Sequence, residues 1–134
     1  MDFIKDDGGR NKYFPLKYKK DYTGDCVIRA IAIATYTDYK RVWDALFELG
    51  HKMGHLPNDE RVYEKYLSQI GWKKHKPIRK SNGRKYQLKN LPIDDGSYIF
   101  ITSRHVTAIT EQEHRDTWNC GNWCANSYYK LKGE

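Results

Sequence analysis

The chain has 134 residues and a net charge of +7, from 24 Lys plus Arg against 17 Asp plus Glu. That length suits one domain. Leu, Ile, Val and Phe make up only about a fifth of it, near the compositional boundary of disorder. Eleven Tyr and four Trp offset this with large apolar surfaces that carry a polar handle, so a folded domain with a tyrosine-rich core is expected.

The charge is local. Lys73, Lys74, Lys76, Arg79, Lys80, Arg84, Lys85 and Lys89 stand in one stretch without an acid among them, and the rest of the chain is close to neutral. The first ten residues carry acids where a signal peptide has a basic and then an apolar run. No apolar stretch approaches the roughly 20 residues of a membrane span. Three cysteines is an odd count, which argues against a disulfide framework. A soluble cytoplasmic protein that does not engage membranes is the expectation.

Residues 1–20 read as irregular, with Gly8-Gly9 followed by a Lys/Tyr mixture broken by Pro15. A helical half is expected over 21–71. The nearly continuous apolar run from Val27 to Ala34 predicts a helix buried on most sides, capped by Thr23 or Asp25; its alanines favour helix over strand. Tyr39, Val42, Trp43, Leu46 and Phe47 recur at helical spacing after a Thr37/Asp38 cap. A third helix is predicted after Pro57, with Asn58 or Asp59 as cap, an inner face running from Val62 to Ile70, and Gly71 closing it.

The basic connection, 73–96, reads as a long loop or an exposed hairpin turning at Asn82-Gly83. Over 97–134 the pattern changes to strands at Tyr98–Thr102, His105–Thr110, His114–Trp118 and Ser127–Leu131. Helices first and antiparallel strands last is an α+β order.

Three residue types stand where nucleophilic chemistry needs them. Cys26 falls at the start of the buried helix, where unpaired backbone N–H groups and the helix dipole favour a thiolate and an oxyanion. His105 opens a strand and fits the general base. Asp116 lies on the next strand, within reach of the imidazole if the two pair.

Asp25-Cys26-Val27-Ile28-Arg29-Ala30-Ile31-Ala32, Ser103-Arg104-His105-Val106-Thr107-Ala108-Ile109 and Asp116-Thr117-Trp118 together resemble the papain-like cysteine peptidase superfamily, most closely its small bacterial and phage-encoded members. The resemblance implies a central helix bearing Cys26 packed on a curved antiparallel sheet. It also implies Cys26 as nucleophile, His105 as base and Asp116 as orienter, with no cofactor. Papain-like enzymes usually carry a Gln shortly before the cysteine as an oxyanion donor. Residues 20–25 contain no Gln or Asn, which leaves Asn11, Thr23 or backbone N–H groups for that role, and Asn119 is a second candidate orienter. The Cys-to-His spacing is also shorter than in papain and the cathepsins.

Other groupings compete. His51, His55, Cys120 and Cys124 have zinc-ligand chemistry, but their spacing does not match a zinc motif. The basic stretch fits a solvated loop or a surface for an acidic protein partner better than nucleic acid. For nucleic acid, Tyr13, Phe14, Tyr18 and Tyr22 interleaved with Lys12, Lys17, Lys19 and Lys20 offer stacking surfaces. The leading expectation is a thiol hydrolase or acyl transferase acting on a protein or peptide. A non-catalytic binding or inhibitor module on the same scaffold is the alternative, and a basic nucleic-acid binder the second.

Overall fold

The computed structural model describes residues 1–18 and 22–133. In chain order its elements are β1 (Asp2–Lys5), α1 (Arg10–Tyr13), α2 (Cys26–Thr35), α3 (Tyr39–Met53), α4 (Glu60–Gln69), β2 (Trp72–His75), a 3₁₀ turn at Leu88–Asn90, β3 (Ser97–Thr102), β4 (His105–Thr110), β5 (Glu113–Asp116) and β6 (Tyr128–Leu131). Among the described residues these form four α-helices and one six-stranded sheet, an α+β arrangement.

The strands run in the order β1-β5-β4-β3-β6-β2, and every neighbouring pair is antiparallel except β1 with β5. The sheet is therefore mixed, which corrects the wholly antiparallel expectation. Its outer strands come from outside the 97–134 segment. β1 lies within residues 1–20, read above as irregular, and pairs in parallel with β5 from Asp2↔Glu113 to Lys5↔Asp116. Only Phe3 and Ile4 mark this strand in sequence, too short an alternation to register. What fixes it is distant: the Phe3 ring meets His114 edge-on at 5.3 Å. Gly8 then turns the chain at φ 70 and passes so close to α2 that an added Cβ would lie 3.0 Å from the Arg29 carbonyl oxygen.

The basic connection is likewise more ordered than a loop. It opens with β2, an edge strand paired to β6, in which only Trp72 is buried while Lys73 and Lys74 face solvent. Lysines on a sheet edge discourage pairing with a second chain. The turn at Asn82-Gly83 is present, with the Gly83 N–H bonded to the Lys80 carbonyl at 2.9 Å, but its hairpin amounts to one isolated bridge, Arg79↔Lys85.

The helix caps follow local chemistry. Asp38 accepts from the Arg41 N–H at 3.3 Å and Asp59 from the Arg61 N–H at 2.9 Å. α2 is buried throughout from Val27 to Ala34, and its alanines let it lie closely across β4, every residue of which is buried. On this side the core joins Ile31, Val42, Leu46, Val62 and Leu67 to Ile99, Ala108 and Tyr129. A second cluster, including Leu88, Leu91, Phe100, Ile109 and Cys120, explains why β4 has no solvent face. No helix among the described residues is long and apolar enough to cross a membrane.

Candidate active site

Cys26 is the first residue of α2, and Asp25 occupies its N-cap position without making a side-chain cap. The Asp25 carboxylate is held elsewhere. It accepts from Arg10 at 3.0 Å and from the Tyr39 hydroxyl at 2.5 Å, and it is also bound by Arg29 and by the Thr23 hydroxyl. The N–H groups of the first helical turn are thus left without a capping side chain, on the side where Cys26 stands. Such groups favour negative charge, whether a thiolate or an oxyanion.

β4 and β5 pair antiparallel, with Ala108 opposite Arg115. Alternation puts His105 and Thr107 on one face of β4, and the pairing brings Asp116 beside them. Asp116 is buried and accepts from His105 Nε2 at 2.6 Å, from the Thr107 hydroxyl at 2.6 Å and from the Thr117 N–H at 2.6 Å. With Nε2 committed to Asp116, Nδ1 is the nitrogen left to face Cys26. The indole of Trp118 packs over the imidazole with ring centres 4.8 Å apart.

The two reactive groups shift each other. Burial pushes the Cys26 thiol up. Hydrogen bonding with His105 and with the Val106 N–H, aided by the charges of His105 and Arg29, outweighs burial and holds the thiol below its ordinary value. Burial also disfavours a charged His105, yet hydrogen bonding to Asp116, then to Cys120 and Cys26, raises it from 6.5 to about 11. Both shifts run in the direction of a thiolate–imidazolium pair. Asp116 is itself held below the ordinary carboxylate range: burial opposes this, but bonds from His105 and Thr107 win.

Cys26, His105, Thr23 and Trp118 line one open cleft of about 460 Å³, with Arg29, Arg104 and Trp123 on its walls. No protein-family model, curated protein or solved structure matches the chain.

Of the other residues singled out in sequence, Thr23 reaches the cleft but is committed to Asp25 and accepts from Arg29 at 3.1 Å. Asn11 is exposed on α1 and Asn119 accepts from the Gly121 N–H at 2.9 Å; neither lines the cleft. That leaves backbone N–H groups of the first turn of α2 as candidate donors in the cleft, and Asp116 as the one carboxylate or amide bound to the His105 ring among the described residues.

His51, His55 and Cys124 join no grouping with metal-ligand geometry among the described residues. The one grouping found is His105, Asp116 and Cys120, whose donor atoms lie within 4.8 Å of one another. Ligands around zinc sit at about 2.0–2.3 Å from the ion and hence roughly 3.3 Å or more from each other. The 2.6 Å His105–Asp116 contact is a hydrogen bond, too short for two zinc ligands.

None of the eight clustered cations lines the cleft. Several are locally engaged. Lys74 pairs with Glu60 at 2.7 Å, Lys85 donates to Asn126 at 2.7 Å, and Arg79 donates to the Gly83 carbonyl at 2.9 Å. Lys80 lies over the Tyr86 ring, while Lys73, Lys76, Arg84 and Lys89 are exposed. The N-terminal stacking surface is partly spent on packing: Phe14 stands 4.7 Å from Trp43 and Tyr13 donates to Asp38 at 2.5 Å. Lys19 and Lys20 of that stretch lie outside the described residues.

Sequence reading missed Arg29 as a site residue. It binds Asp25 and reaches Asp116 at 3.6 Å, tying the helix that carries Cys26 to the strand that carries Asp116. The signal was a single arginine inside an otherwise apolar helix, four residues after an acid. Thr107 was missed as well, and Cys120 was singled out only for zinc; nothing local marks either as a neighbour of His114 and Asp116.

Proposed function

We propose that the protein is a papain-like thiol hydrolase or acyl transferase that cleaves a peptide, isopeptide or related acyl bond. The observation that carries this reading is the ordered chain from Cys26 at a helix N-terminus, through His105, to the buried carboxylate of Asp116. The thiolate attacks the acyl carbon and a C–S bond forms. The electron pair displaced onto oxygen is held by N–H groups of the first turn of α2. As the tetrahedral species collapses, His105 gives its proton to the leaving nitrogen and an acyl-thioester remains on Cys26. His105, now neutral, accepts a proton from water or from an acceptor amine as that group attacks the thioester, and the thiolate is released. Asp116 holds the ring and stabilises its charge throughout. The exposed cations of the basic stretch we assign to an acidic protein partner, since they lie outside the cleft.

Labelling with iodoacetamide near neutral pH tests the assignment. Cys26 is expected to react at least about tenfold faster than the exposed Cys124, and His105→Ala to remove most of that advantage. Equal labelling of Cys26 and Cys124, unaffected by His105→Ala, would instead mark a binding module without catalysis.

A further inference from the structure

Arg104 is the second residue of the two-residue turn between β3 and β4, immediately before His105. Its backbone sits at φ 66, a left-handed conformation that disfavours an L side chain and that glycine or asparagine normally fills in such turns. Strain of this kind next to reactive groups directs attention to what the side chain does.

The Arg104 side chain is exposed on the wall of the cleft, and among the described residues no carboxylate, carbonyl or aromatic ring engages it. The remaining charges of the cleft are committed. Asp25 is bound by Arg10 and Arg29, Arg29 lies between Asp25 and Asp116, and His105 is bound to Asp116. Among the described residues an incoming molecule therefore meets one free charge, and it is positive. Nearby, Trp118 and Trp123, each 40% exposed, stand nearly perpendicular with ring centres 5.2 Å apart, an apolar corner of the same cleft.

We propose that Arg104 is a specificity-determining residue and that the acyl substrate of Cys26 carries a carboxylate close to the scissile bond. The guanidinium binds that carboxylate as a charge-assisted, bidentate partner, while the two indoles pack its apolar part. This rests on the reading of Cys26 as the nucleophile and adds the substrate class to it.

Two alkylating reagents that differ in one charge test it without a known substrate. Iodoacetate carries the carboxylate; iodoacetamide is neutral and serves as the reference for the thiol's own reactivity. The ratio of their rates at Cys26 is expected to fall about tenfold in Arg104→Ala and Arg104→Gly, to recover in part in Arg104→Lys, and to lose its dependence on Arg104 at about 1 M salt. The melting temperature of Arg104→Gly should be no lower than that of the parent protein, because glycine suits the turn. An unchanged rate ratio overturns the proposal, and so does a lowered melting temperature, which would give Arg104 a structural role. Failure of the underlying reading looks different: Cys26 of the parent protein would then react with iodoacetamide no faster than Cys124.

Discussion

Asp116→Ala is expected to lower stability by about 3–5 kcal/mol and to slow alkylation of Cys26 by about a hundredfold. The substitution removes the acceptor for His105 Nε2, the Thr107 hydroxyl and the Thr117 N–H among others, and the carboxylate facing Arg29. These groups are buried or partly buried and cannot all recover water, so the loss approaches the full desolvation cost of leaving them unpaired. Reactivity falls because the ring loses both its orientation and the charge that favours the imidazolium.

The pH dependence of stability separates these effects. His105 is raised on folding from 6.5 to about 11, so its contribution is complete below about 6.5 and is lost as pH rises through about 11. Asp116 is lowered on folding, so its contribution is present above the ordinary carboxylate value and is lost as pH falls through its depressed value. Denaturation in urea across that range should show both limbs in the parent protein. In Asp116→Ala the acid limb should weaken and the alkaline limb should shift to lower pH, because burial alone pulls His105 down.

Arg29→Met is the second large effect, with an expected loss of about 3–5 kcal/mol despite an apolar replacement that fits a buried helix. Arg29 faces Asp25 and Asp116, both of which are nearly inaccessible to solvent. Its removal leaves the Asp116 carboxylate with one fewer cation and Asp25 dependent on Arg10. A double variant, Arg29→Met with Asp116→Asn, should recover part of the loss, because the uncompensated charge disappears with its partner. Equilibrium unfolding of the two single variants and the double variant measures this coupling. Additive losses would show that the 3.6 Å contact contributes little.

Cys26 and His105 were legible because each sits where an element begins. Cys26 heads a run of apolar, alanine-rich sequence, and His105 heads a strand whose pairing with the next brings in Asp116. The groups that tune them were not legible, because their contacts cross between elements. Thr107 looks like any buried strand threonine until Asp116 and His114 meet it, and Cys120 belongs to a turn whose position depends on the second core. β1 escaped for a related reason. Four residues with two apolar side chains carry almost no periodic signal, and their partner strand lies at the other end of the chain. The buried arginine was visible as an anomaly, but the carboxylates it serves became identifiable only once α2 was seen packed across β4.

The proposed chemistry requires a thiolate–imidazolium pair formed by Cys26 and His105. The rate of Cys26 alkylation by iodoacetamide as a function of pH tests it most directly. Hydrogen bonding holds the thiol below its ordinary value and raises His105, so the rate should reach its plateau at a lower pH than for a free cysteine. A rate that instead climbs about tenfold per pH unit up to about 8.5, as for a free cysteine, would contradict the account.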